Sequence, residues 1–205
     1  MALVKYNNRS ILNVTALGSL PSGDLVLLAT NNITSGVSSS SFTSNIDSTY
    51  NTYMFKCINM HPATDTAEFT FNLSTDGGSN YNVTKTTTAF RALHDEADSQ
   101  TSLAYQTASD LAQSTGYQTL CQYVGNDSDQ SCTANLILFS PSSTTFVKHF
   151  IASNNSYYAN DKTNNDFIAG YGNTTSAIDA IDFKFSSGNI DSGVIKMYGL
   201  SKSWV

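Results

Sequence analysis

At 205 residues the chain fits one large β-domain or two small ones, and it can bury a core without metals or disulfides. Charged residues make up only 13% and the net charge is −6, which excludes the basic footprint that phosphate backbones demand, so nucleic acid is set aside as a partner. With 11 Tyr, 11 Phe and 3 Pro, the composition is that of a folded chain, not a disordered one.

Read in chain order, Ser10–Leu17 predicts a first short strand and Gly18–Asp24 a turn. Leu25–Ile33 reads as a buried strand and Thr34–Ser41 as a loop, and the whole of residues 1–45 could form an extended arm. Tyr50–Asn59, rich in aromatic and β-branched residues, predicts a strand broken at His61-Pro62. Ala67, Phe69, Phe71 and Leu73 alternate with Glu68, Thr70 and Asn72, the pattern of a half-buried antiparallel strand. The turn Ser74–Asn80, with Gly77 and Gly78 free to take positive φ, should fold Tyr81–Phe90 back as its hairpin partner.

Residues 91–114 fit a short helix or a long loop, because Leu103, Ala104, Thr107, Ala108, Leu111 and Ala112 recur at helical spacing. Strands are predicted again at Tyr117–Val124, Ala134–Phe139 and Thr144–Ala152. Residues 153–166 read as an Asn- and Ser-rich loop, followed by strands at Phe167–Tyr171, Ala177–Phe185 and Val194–Leu200. Strands without βαβ alternation imply an all-β fold, an antiparallel two-sheet β-sandwich of jelly-roll type, in one domain spanning 1–205.

Tyr50–Asn59, Phe69–Tyr81 and the closing run Ile181–Leu200 together resemble a broad group of tailed-bacteriophage virion proteins, of the marine phage type, with a jelly-roll-like β-sandwich. The resemblance spans most of residues 50–200 and rests on turns and closing strands. It implies a virion structural protein and supplies no catalytic residues.

The residues by themselves point to little chemistry. His94, Asp95, Glu96 and Asp98 could hold a divalent cation, but read better as a solvated loop or subunit surface near Arg91. Asn126, Asp127, Asp129 and Gln130 lack the central Gly and distal Glu of a calcium loop. Cys57, Cys121 and Cys132 have no metal spacing; Cys121 and Cys132 could face each other across a hairpin, though reduced thiols are the simpler reading. His61, His94 and His149 are scattered, and Asp179 and Asp182 fall on opposite faces of a regular strand, which disfavours a glycosidase pair. No catalytic residue, metal or cofactor is therefore expected. Tyr157, Tyr158, Tyr171 and Trp204 are the candidate contacts for protein neighbours or sugars.

The start, Met1-Ala2-Leu3-Val4-Lys5, has no apolar signal core, and runs such as Leu25–Ala29 are too short to span a bilayer. The expectation is a non-enzymatic protein made in the host cytoplasm and carried in the virion, without a membrane partner. An outer head decoration or accessory subunit comes first, packing against other virion proteins as a homo-oligomer, with a trimer among the options. The alternative is a tail-fibre or receptor-binding module that grips host-surface glycans.

Overall fold

The computed structural model describes residues 25–200. The strand expected at Ser10–Leu17, the turn at Gly18–Asp24 and Trp204 lie outside the described residues. Within them the fold is all-β, with twelve strands in one antiparallel sheet. These are β1 (Leu25–Ile33), β2 (Ser40–Phe42), β3 (Thr52–Pro62), β4 (Ala67–Ser74), β5 (Lys85–Asp95), β6 (Thr101–Tyr105), β7 (Gln118–Val124), β8 (Cys132–Phe139), β9 (Lys148–Tyr158), β10 (Lys162–Gly172), β11 (Ala180–Phe185) and β12 (Ile190–Leu200).

The main path runs β1-β12-β3-β8-β9-β7-β4-β11-β2. Its ends come together. Asn31 Nδ2 on β1 donates to Ser40 Oγ at 2.9 Å and to the Ser41 carbonyl at 3.1 Å on β2, so the sheet nearly closes into a barrel. The junction of β9 with β7 is a single residue pair, Val124 with Tyr158. At β9 the sheet also branches: β10 pairs with β9, β5 with β10 and β6 with β5. This side branch is a wing of three strands outside the ring.

Alternation fills the ring. Tyr53, Phe55 and Cys57 of β3, Leu136 and Leu138 of β8, and Ile195 and Met197 of β12 all point inward and are buried. Phe183 is the hub of an aromatic cluster. It stacks on Phe69 at 6.0 Å with planes 11° apart, meets Phe42 edge-on at 6.5 Å, and contacts Phe55 and Phe71.

Several expectations are corrected. Residues 91–114 contain no helix: β5 continues to Asp95, turns, and returns as β6, with five register pairs from Phe90–Tyr105 to His94–Thr101. The helical spacing of Leu103, Ala104 and Ala108 reflects no buried stripe, since Leu103 is 76% exposed. Residues 153–166 are not a loop, because β9 runs to Tyr158 and β10 starts at Lys162. Their Asn and Ser side chains stand on both faces of paired strands, so polarity hid the ladder. β4 does not pair with Tyr81–Phe90. It lies between β7 and β11, while β5 pairs with β10. A strand covered from both sides explains why Thr70 and Asn72 are buried along with Phe69 and Phe71.

β3 also passes through His61 to Pro62, where it still pairs with β12. Leu25–Ile33 is a strand, but only Ile33 is buried and the rest is exposed or half-buried, as expected of an edge. Residues 25–42 belong to the sheet through β1 and β2 and form no arm. Gly77 and Gly78 do take positive φ, +70° and +85°.

Candidate functional site

The wing is where this fold departs from a plain closed ring, and its two faces differ. Inward-facing residues of β5, β9 and β10 lie over β7 through polar groups. Thr87 Oγ1 donates to Gln118 Oε1 at 2.7 Å, Arg91 Nη1 to Gln122 Oε1 at 2.8 Å, and Asn154 Nδ2 to the Leu120 carbonyl at 2.9 Å. Asp166, 1% exposed, accepts from the Gln122 backbone N–H at 3.3 Å. Burial lifts its carboxyl to about 7 against the opposing pull of Gln122 and Arg91. These bonds fix the wing's angle on the ring.

The outward face is apolar. Register sets Ile137 beside Ile151, Phe167 beside Phe90, and Phe90 beside Tyr105. The rings of Phe90 and Phe167 stack at 4.9 Å with planes 13° apart. Between them and Ile151 runs an open groove of about 250 Å³, floored by Thr88 and Ala169. Phe90 is 45% exposed, Ile151 48% and Tyr105 53%. With Leu103, these side chains leave on the order of 400 Å² of apolar surface in water, as much as the largest patch on an ordinary monomer.

The tyrosines singled out from sequence are not brought together. Tyr157 and Tyr171 point outward from opposite ends of the same face, since Tyr157 pairs with Thr163 and Tyr171 with His149. Eight register steps put them roughly 26 Å apart. Tyr158 points the other way and packs on Tyr123 at 5.0 Å. His149 faces outward, 6.1 Å from the Tyr171 ring.

A second, polar cleft surrounds Tyr157, lined by His94, Glu96, Asn155 and Lys162. Tyr157 donates to Glu96 Oε1 at 3.0 Å, and this bond raises its phenol to about 12. Asp95 accepts from the backbone of Ser99 and Gln100 and from Ser99 Oγ, holding the β5–β6 turn. His94 pairs with Asp98 at 3.2 Å. The acidic cluster is thus built into a turn, and no group of three His, Cys, Asp or Glu among the described residues is arranged to hold a metal ion.

The segment Asn126–Gln130 is a closed turn: the Gln130 N–H donates to the Asp127 carbonyl, and Gln130 Oε1 accepts from the Asp127 N–H. Asp179 precedes β11 and accepts from the Gly77 N–H, whereas Asp182 is buried and accepts from Ser41 and Tyr117 hydroxyls. The three cysteines are buried free thiols; β7 and β8 form no hairpin ladder, yet Cys121 and Cys132 meet in the core. Burial pushes the Cys57 and Cys121 thiols up, so they stay protonated and unreactive.

Sequence reasoning missed Phe90, Phe167, Ile151 and Leu103. It also missed three buried charged side chains, Lys85, Lys148 and Asp166. No family model, curated protein or solved structure matches this chain.

Proposed function

We propose that the chain is a non-enzymatic structural subunit that packs against other protein subunits through the outer face of its wing. The observation that carries this reading is the stacked Phe90–Phe167 pair with Ile151 and Leu103, left uncovered on a charge-poor sheet face. Covering about 400 Å² of apolar area releases up to about 10 kcal/mol, of the same order as the roughly 4–15 kcal/mol that association costs.

We also read the ring as a jelly roll. The orders β1-β12-β3-β8 and β2-β11-β4-β7 are those of its two four-stranded layers, with β5–β6 and β9–β10 as inserted hairpins. The one-pair junction of β9 and β7 supports a seam between two layers. Jelly rolls serve in viral capsids and in lectins, so fold alone does not choose between them. The virion setting, as an outer head decoration subunit of a tailed phage, rests on the sequence resemblance.

Light scattering on purified protein tests the packing surface. The wild type should assemble into a homo-oligomer, and Ile151→Lys should shift it to monomer while leaving the melting temperature near wild type. A wild type that stays monomeric at high concentration and fails to bind particles would refute the proposal.

One observation favours a second reading, host-glycan recognition. The cleft at Tyr157 offers an aromatic ring with Glu96, Asn155 and Lys162 around it, groups suited to sugar hydroxyls. A glycan array probed with wild type and Tyr157→Ala decides it, and an array on which the wild type binds nothing removes it.

A further inference from the structure

Lys85 is the unusual residue of the interior. Its side chain is fully buried at the start of β5, on the inner face, beside Gly172 and across from Lys148. Its amine donates to two oxygens, Asn72 Oδ1 and the Val83 carbonyl at 2.8 Å, and neither carries a charge. Burying an ammonium without a counter-ion is costly, and the protein's recourse is to neutralise it. Desolvation accordingly lowers Lys85 to about 7, so a large share of the amine is a free nucleophile at neutral pH.

Asn72 is held as an acceptor of attack. It is fully buried in the middle of β4. Its Nδ2 donates to the carbonyls of Tyr81 at 2.6 Å and Thr115 at 3.0 Å, which fixes the amide with Oδ1 toward Lys85. Oδ1 also accepts from the Leu73 N–H at 2.9 Å. That backbone donor polarises Cγ and would stabilise negative charge growing on Oδ1 once the amine turns to Cγ. Asp182, 2% exposed, is the register partner of Asn72 on β11, so the sheet sets a carboxylate on the same face. Tyr117 donates to it at 2.9 Å.

We infer that Lys85 and Asn72 join in an intramolecular amide, a covalent cross-link between β4 and β5. Neutral Lys85 Nζ bonds to Asn72 Cγ, and the Cγ–Nδ2 bond breaks. One amine proton passes to Nδ2, which leaves as ammonia. Both sides of the exchange are neutral amide and amine, and nothing is oxidised or reduced. The link removes the buried amine altogether. It also ties together two strands that share no backbone ladder, since β4 pairs with β7 and β11. Lys148 provides the internal contrast. It is buried as well, but its amine meets only the carbonyls of Phe146 and Thr174, which cannot be displaced.

Mass spectrometry of the folded full chain tests this. The expected mass is lower than the sequence mass by one ammonia. Trypsin combined with a protease that cuts before Asp76 should release the Asn72 peptide and the Lys85 peptide as one joined species, uncut after Lys85. Lys85→Met should carry its full sequence mass. A folded wild type with full sequence mass and separate peptides overturns the inference, as does ammonia loss mapped to another asparagine. The wild-type measurement decides the matter even if a variant fails to fold.

Discussion

Replacing Asp166 with Asn should make this protein more stable at neutral and alkaline pH. Asp166 lies between β10 and β7, 1% exposed, with the Gln122 N–H on one oxygen. Its register partner Arg91 directs Nη1 to Gln122 instead. Desolvation raises the carboxyl from 3.8 to about 7. Between those values the native state keeps a proton that the unfolded chain has lost, so native stability falls as pH rises through the window and is level above it. The shift corresponds to a ceiling of about 4 kcal/mol, and relaxation with water entry should halve it to roughly 2 kcal/mol. Asn keeps an oxygen for the Gln122 N–H and has no charge to bury.

Urea denaturation from about pH 4 to pH 8 measures this. The variant should match wild type at the acid end, exceed it by roughly 2 kcal/mol at the other, and show a flatter profile between. Asp76 and Asp95 do not confuse the result. Side-chain hydrogen bonds, from Asn80 and Ser99 first, hold both at about 2, so their contribution is present above 3.8 and lost only as pH falls below the window. A variant with the wild-type slope, or one weaker than wild type at pH 8, would refute the assignment of a buried, protonatable Asp166.

Phe183→Ala removes the hub shared by Phe42, Phe55, Phe69 and Phe71, and should cost about 3–5 kcal/mol in the same denaturation assay. Gly77→Val should cost about 1–3 kcal/mol from backbone strain alone, because φ is +70° and a Cβ there meets nothing within 4 Å. Gly78→Ala should cost more than Gly77→Ala, since its Cβ would lie 2.6 Å from the Tyr81 hydroxyl oxygen and 2.8 Å from a Thr43 methyl.

The side-chain period carried much of the fold into the sequence. Phe69, Phe71 and Leu73 alternate with polar residues, and Gly77-Gly78 follows at a turn that only positive φ can make, so strand and turn were both legible. The tyrosines were legible as a residue class but not as a site, because strand pairing sends Tyr157 and Tyr171 to opposite ends of a face. The wing was hidden for a different reason. Its strands and the adjoining β9 bury polar residues such as Asn154, Asn164 and Asp166 on the inner face and turn Phe90, Ile151 and Phe167 outward, inverting the usual pattern.

Local chemistry thus settled that the chain would form antiparallel strands with a turn at Gly77-Gly78, since φ, ψ preferences and alternation act over a few residues. Which strands pair, which face of the wing meets water, and that Lys85 reaches Asn72 depend on partners far away in the chain. β4 takes β7 and β11 in place of its neighbour β5, and no nearest-neighbour preference specifies that choice. Only the closing of the ring, where burial and ladder hydrogen bonds are satisfied together, decides it.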